Sequence, residues 1–436
     1  MGHCRMSSGP THNTGAAVSY RPDLQVFVFA LFFVFGGITS LNDILIPKLR
    51  ALFALSHAQG MLVQSAFFAA YFVVSIPAAA LVKRIGYMRA AVVGLLTMTA
   101  GCLLFVPASA GGAFSLFLVA LFVLAAGITT VQVVANPLIS MLGSPATTSS
   151  RLTFAQAFNS LGTTIFPYAG SILILGTLAS VEPATLSGPA LDSFRRIESQ
   201  VIAHTYLGLS GALLLLAAIV WLRRRALLEA PAPDVPILRA FNLLARPRFA
   251  FGTLCIFLYV GGEVAIGSMI VNYLMQGNVL GFGAEEAGKH VPYYWGGAMV
   301  GRFLGAYLLR LYSPGKVLAV AAAAVISLLL ISANTTGPVA GWSLLCIGLF
   351  NSIMFPTVFS LASEGLNERA AEGSGVICVA IVGGAVVPYL TGRAQDAWGL
   401  RSALVVPAVC YCAILLFGLY ARRSIVTETP DLQVSV

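Results

Sequence analysis

Charge is scarce in this chain: Lys, Arg, Asp and Glu make up 9% of its 436 residues, against 58% hydrophobic. A water-soluble protein of this length needs far more charge to keep its surface wet, so the apolar excess must face lipid. No G-x-x-x-x-G-K-[ST] phosphate loop occurs, which excludes an ATP-driven motor within the chain. The seven cysteines are scattered, most of them inside apolar runs, and show neither metal nor disulfide spacing. His57, His204 and His290 stand near the ends of apolar runs and the other histidines in the first 20 residues, so no metal site can be drawn. No catalytic constellation is visible, which argues against an enzyme. Nor do the first 20 residues contain an apolar core, so 1–22 reads as a disordered cytoplasmic tail rather than a signal peptide. The first apolar run then serves as its own uncleaved insertion signal.

Apolar runs are abundant. Each bilayer crossing takes about 20 apolar residues, and twelve such segments are expected near 25–50, 57–82, 88–107, 113–142, 151–178, 201–222, 248–275, 289–311, 316–334, 340–365, 371–392 and 400–421. The 43 glycines and 21 prolines suit membrane helices, where small residues allow close packing and neighbours satisfy broken backbone bonds. A Pro- and Arg-rich stretch at 223–247 reads as a cytoplasmic linker between two bundles, 23–222 and 248–422, with 423–436 as a second cytoplasmic tail. The expected class is an all-α membrane protein.

Lys and Arg stay on the cytoplasmic side of a membrane protein. With the N-terminus inside, 17 of the 25 basic residues fall on that side and seven on the other, and an even number of crossings brings both termini to the cytoplasm. The net charge of +9 is therefore topological bias and implies no nucleic-acid partner. The halves also repeat. Gly36-Gly37 answers Gly261-Gly262, Lys83-Arg84 answers Arg310-Leu311, Asn136-Pro137 answers Phe355-Pro356, and Pro167-Tyr168 answers Pro388-Tyr389, at offsets between 219 and 227. Two parallel six-helix halves related by an axis along the membrane normal describe the major facilitator architecture, in which substrate sits near the midplane between the halves.

Ionisable residues at lipid depth are costly and face a cavity or a partner, so they are the first functional candidates. Three stand well inside the segments: Asp43, Glu263 and Arg302. A desolvated carboxylate such as Asp43 can take up and release a proton near neutral pH, as proton coupling requires; the alternative is a carboxylate fixed for structure alone. Glu263 follows a glycine pair and suits either titration or hydrogen bonds to sugar hydroxyls, unless it merely partners a cation such as Arg302. Arg302 reads as structural charge. A second group is uncharged. Gln132 and Asn136 are four residues apart, Gln156 and Asn159 three apart, so each pair shares a helix face. Amides carry both donors and an acceptor, which suits a neutral polyol more than a charged metabolite, although interhelical glue is the plainer role. Asn351, Asn272 and Trp295 complete the substrate set. Asn272 stands on the face opposite Glu263 on an ideal helix, so both reach one cavity only if segment seven breaks, for example at Gly267. Trp295 can stack on a pyranose face or simply pack.

The motifs Leu41-Asn42-Asp43-Ile-Leu-Ile-Pro47, Ala135-Asn136-Pro137, Gln156-Ala-Phe-Asn159-Ser160-Leu-Gly162 and Phe355-Pro356-Thr-Val-Phe-Ser360 resemble the fucose/galactose/glucose:proton symporters of the major facilitator superfamily. The stretch Tyr259-Val-Gly-Gly-Glu263 through Asn272-Tyr273 is similar to the glucose/galactose branch. The resemblance implies import of a neutral hexose with a proton by alternating access, across a bacterial inner membrane, by a protein that works as a monomer without a cofactor. It implies proton coupling at Asp43, with Asn42 in the substrate set. Where fucose permease has a second essential acid, this chain has Gln132, so Glu263 is expected to carry the second acidic role. Lys83 departs from the general superfamily pattern, which has Asp there, so the gating interaction that Asp provides must differ. A sodium-coupled carrier, a fucose-type permease and a non-transporting sugar sensor are the rival readings.

Overall fold

The structure, a computed structural model, describes residues 22–53, 62–111, 113–170, 188–225 and 237–423. The two tails, residues 226–236 of the linker and the end of segment five thus lie outside the described residues. Everything regular among the described residues is helical. The order is α1 (Pro22–Phe53), α2 (Leu62–Ile85), α3 (Tyr87–Gly111), α4 (Phe114–Met141), α5 (Thr148–Gly170) and α6 (Pro189–Arg223) in the first half. The second half contains α7 (Pro247–Leu274), α8 (Ala284–Leu311), α9 (Pro314–Asn334), α10 (Gly337–Asn351), α11 (Met354–Ala362), α12 (Ala370–Val379), α13 (Gly383–Trp398) and α14 (Val405–Tyr420). Segment ten is therefore α10 plus α11 and segment eleven is α12 plus α13, so the described helices map onto the twelve expected segments.

Ten of the described helical stretches are long and apolar enough to cross a membrane. The remaining two, α5 and α8, have 23 and 28 residues, again enough to span hydrocarbon. Their polarity belongs to the interface between the halves, which they line. Leu215, Leu222, Val320, Val409 and Leu416, on α6, α9 and α14, are largely exposed on the outer surface. That surface is the one lipid covers.

Two departures from the expected segments have physical causes. The helix of segment six starts at Pro189, twelve residues before the expected 201, with proline in the first turn, where its missing N–H is harmless. Its polar opening turns carry Glu198, which is 3% exposed and paired with Lys48 of α1, 1% exposed. Lys48 and Glu198 thus join Asp43, Glu263 and Arg302 as ionisable residues within helices, correcting the expectation of only three. Segment ten breaks at Ser352 and Ile353, and the helix resumes with Thr357 N–H on the Ile353 carbonyl at 3.0 Å. Pro356 lacks the N–H that would bond the Ser352 carbonyl, and its ring crowds that turn. The repeat partner Pro137 leaves α4 continuous. Segment eleven changes to a single 3₁₀ turn, Ala380–Val382, between its two pieces.

The halves meet along α5 against α8 and along α2 against α12, and polar contacts join them at one end. Ser149 and Ser360 hydroxyls lie 2.5 Å apart, and Ser150 Oγ donates to the Ala306 carbonyl at 2.6 Å. Lys83 Nζ donates to Glu372 Oε1 at 2.5 Å, and Arg369 Nε holds the other oxygen at 2.8 Å. This pairing answers the question Lys83 posed: the basic residue sits on the first half and the acid on the second, so the charges across the closure are reversed relative to a pattern with Asp at that position.

Two outcomes follow from these ion pairs. Glu198→Ala strips the buried Lys48 ammonium of this carboxylate and should lower stability by about 3–5 kcal/mol, read as earlier thermal unfolding in detergent; an unchanged Tm would mean the pair is hydrated. Glu372→Gln should loosen the closed end, so that hydrogen exchange in the peptide carrying Ser149 and Ser150 quickens roughly tenfold, as a loss of about 1.4 kcal/mol gives.

Candidate functional site

Midway along the interface the halves leave a cavity of about 160 Å³. This is the size of cavity that admits one six-membered ring, an engineered void of roughly 150 Å³ taking up benzene. From the first half, α1 contributes Phe35, Gly36 and Thr39, α2 Tyr71, α4 Gln132, and α5 Gln156, Asn159 and Thr163. From the second, α7 contributes Tyr259, Val260 and Glu263, α8 Arg302, α11 Phe355, and the 3₁₀ turn Ile381. Uncharged amides and hydroxyls thus form one wall. The opposing wall carries one acid and one base.

Close helix packing brings α5 to this position. A Cβ on Gly162 would run into the Phe33 carbonyl of α1, and one on Gly36 into Asn159, so α1 and α5 approach backbone to backbone. In the second half Gly261 and Gly383 let α7 and α13 approach in the same way, against Val387 and the Phe257 carbonyl. The glycine pairs that revealed the repeat are therefore equivalent packing devices.

Hydrogen bonds set the orientation of several groups. Tyr71 Oη donates to Gln132 Oε1 at 2.8 Å, leaving the amide NH₂ of Gln132 as a donor. Tyr259 Oη lies 2.8 Å from Glu263 Oε1 and 3.0 Å from the Asn351 carbonyl. Arg302 reaches across the halves: Nη1 donates to the Gln156 carbonyl at 3.1 Å and to the Ser160 hydroxyl, while Nε donates to the Ser352 carbonyl at 3.3 Å. Among the described residues Glu263 has no cation within ion-pair distance, so Arg302 is not its salt-bridge partner. The Arg302 ligands are carbonyls and a hydroxyl.

The structure brings Gln132, Gln156, Asn159, Glu263 and Arg302 of the sequence candidates to the cavity. It does not bring Asn136, Asn272, Trp295 or Asn351 to the lining. Asn136 is fully buried in α4 beside the cavity's lining helices. Asn351 is fully buried and donates to Tyr294 Oη at 2.8 Å, behind the wall. Trp295 is 44% exposed and packs edge-on against Tyr294. Asn272 is exposed, and α7 runs unbroken through Gly267, so the break that would have carried Asn272 to Glu263's side does not occur. Asn42 and Asp43 fall within α1, but their side chains lie outside the described residues. Tyr71 and Tyr259 were not anticipated. Tyr259 carried a signal, standing four residues before Glu263 and hence on its face; Tyr71 carried none.

The Major Facilitator Superfamily pattern matches residues 27–388. The chain belongs to the major facilitator superfamily. Superfamily members are transporters, and this is accordingly a multi-pass membrane transporter. A protein of Brucella abortus named "Glucose/galactose transporter" is 46% identical over 394 residues, covering 90% of this chain and 93% of that protein. The "L-fucose-proton symporter" of Escherichia coli is 33% identical over 408 residues, covering 91% and 92%. Among solved structures, the transporter FucP in the outward conformation superposes with a TM-score of 0.84 at 30% identity, over 92% of this chain and 99% of that one. These relatives are the ones the motifs pointed to, with higher identity to the glucose/galactose protein than to the fucose symporter.

Gly162→Ala should abolish uptake and most folded protein, because its methyl meets backbone that cannot move aside. Gly208→Ala, in α6, meets nothing within 4 Å and should leave yield and uptake unchanged. Expression and size-exclusion profiles of the two variants side by side make the comparison.

Proposed function

We propose that this chain is a proton-coupled symporter that imports a neutral hexose of the glucose/galactose type across the bacterial inner membrane by alternating access. The observation that carries the reading is the composition of the cavity. Gln132, Gln156 and Asn159 of one half face Tyr259, Glu263 and Arg302 of the other across space for one small ring. Amides and hydroxyls offer paired donors and acceptors to a polyol. One acid and one base in the same wall leave no excess charge to hold an ionic cargo. The names of the Brucella abortus and Escherichia coli relatives support a sugar as cargo and a proton as the coupled ion.

In this reading Asp43 takes the proton. It stands one helical turn after Thr39, which lines the cavity. A neutralised acid eases closure around the sugar, and its release on the inner side resets the carrier. Glu263 supplies the second acidic role, either holding sugar hydroxyls or sharing the proton. The end closed by Lys83 and Glu372 is the one rich in Lys and Arg, which under the positive-inside rule supports a cytoplasmic position for it. The cavity is then reached from the periplasm.

The test is uptake of several hexoses into proteoliposomes, with and without an imposed pH gradient and with sodium absent. Glucose or galactose should accumulate only when the gradient is present. Accumulation that needs sodium instead would replace the proton as coupling ion, preference for fucose would move the chain to the other branch, and uptake of no sugar would overturn the reading. Asp43→Asn should reduce uphill uptake to background yet retain exchange between equal sugar pools. Loss of exchange as well would make Asp43 part of the sugar site.

A further inference from the structure

We infer that Tyr259 is a positioning residue that passes the state of Glu263 to the break in segment ten, and through that break to the contact between the halves. The inference rests on the reading of Glu263 as a cavity group that sugar or a proton engages.

Tyr259 has one hydroxyl proton and two acceptors. Glu263 Oε1 lies at 2.8 Å and the Asn351 carbonyl at 3.0 Å. The residue is 1% exposed, so bulk water is not a third choice. The Asn351 carbonyl is an acceptor because it belongs to the last residue of α10, and the last carbonyls of a helix lack intrahelical donors. The next carbonyl, on Ser352, is free because Pro356 has no N–H to give it. It takes Arg302 Nε, and the same guanidinium donates to the Gln156 carbonyl and Ser160 hydroxyl on α5. Two consecutive carbonyls of one helix break are thus held by two cavity side chains. One of them touches Glu263, and the other crosses to the opposite half.

The competition has a direction. A bare Glu263 carboxylate draws the phenol proton, since a bond to a charged acceptor is roughly twice as strong as one to a neutral carbonyl. When sugar hydroxyls donate to that carboxylate, or a proton neutralises it, the advantage disappears. A protonated Glu263 can donate to the phenol oxygen instead. The phenol proton then turns to the Asn351 carbonyl and ties α7 to the end of α10. The neighbouring contacts are placed to respond: Asn351 Nδ2 donates to Tyr294 Oη, which itself lies 3.4 Å from the Glu263 carbonyl. That second chain of contacts ends on the Glu263 backbone, so the carboxylate itself reaches the break through Tyr259. The joint between α10 and α11 is the element it biases, and Arg302 links that joint to the first half.

Hydrogen exchange of the peptide spanning residues 349–362, in proteoliposomes with and without saturating D-glucose or D-galactose, tests the inference. In the unmodified protein the sugar should slow exchange across the break at least fivefold. Tyr259→Phe keeps the ring and loses the hydroxyl. At sugar concentrations raised to restore saturation, it should cancel that difference and cut uphill accumulation about tenfold. Glu263→Gln, a permanently uncharged stand-in, should show the slowed exchange with no sugar present, and adding Tyr259→Phe to it should abolish the slowing. A sugar response that survives in Tyr259→Phe overturns the inference while leaving the transport reading intact. No sugar response or sugar binding in the unmodified protein sinks the transport reading itself. If Tyr259→Phe yields no folded protein, Glu263→Gln alone decides, since sugar-free exchange at the unmodified rate refutes the relay.

Discussion

Backbone carbonyls at lipid depth must find donors inside the protein, because hydrocarbon supplies none. Pro356 makes this demand acute at one place, removing the donor for Ser352 and breaking the helix of segment ten in the middle of the second half. Arg302 and Tyr259 answer it, and both line the cavity. The positions of the base and of the group that holds the acid thus follow from a backbone defect. The charged wall of the site and the discontinuity in the helix are one feature.

The opposing wall obeys a different constraint. Gly162 and Gly36 let α5 lie directly on α1, which sets the Asn159 amide against the α1 backbone, and Tyr71 fixes Gln132. One half offers a neutral surface, and the other an acid and a base supported by a joint. Rocking of such halves around a fixed ligand is the motion of transporters built from parallel repeats.

Much of this was legible in the sequence. Hydropathy located the segments because lipid enforces it over whole helices. Intramembrane polarity located Gln132, Gln156, Asn159, Glu263 and Arg302, since such residues persist only where a cavity or a partner receives them. Failures came where a local rule met a tertiary decision. The polar residues from Pro189 onward were read as a loop because their compensation, Lys48, lies about 150 residues away in sequence. Pro137 and Pro356 look equivalent, yet only the second interrupts its helix, and nothing local separates them. Asn272 was placed with the site on the supposition of a break in α7 that the structure does not contain. Tyr71 and Tyr259 passed unnoticed because a tyrosine among apolar neighbours reads as packing until its hydroxyl is given a partner.

Arg302 is held by two carbonyl dipoles and a hydroxyl rather than by a carboxylate. Dipoles steady a guanidinium without cancelling its charge. Neutralising the acid of the same chamber therefore leaves that chamber positive, in a space where like charges repel far more strongly than in water. A cargo bearing its own ammonium, such as an amino sugar, would meet that repulsion at the moment of closure. The fork that mends the broken helix would thereby disfavour a cationic cargo.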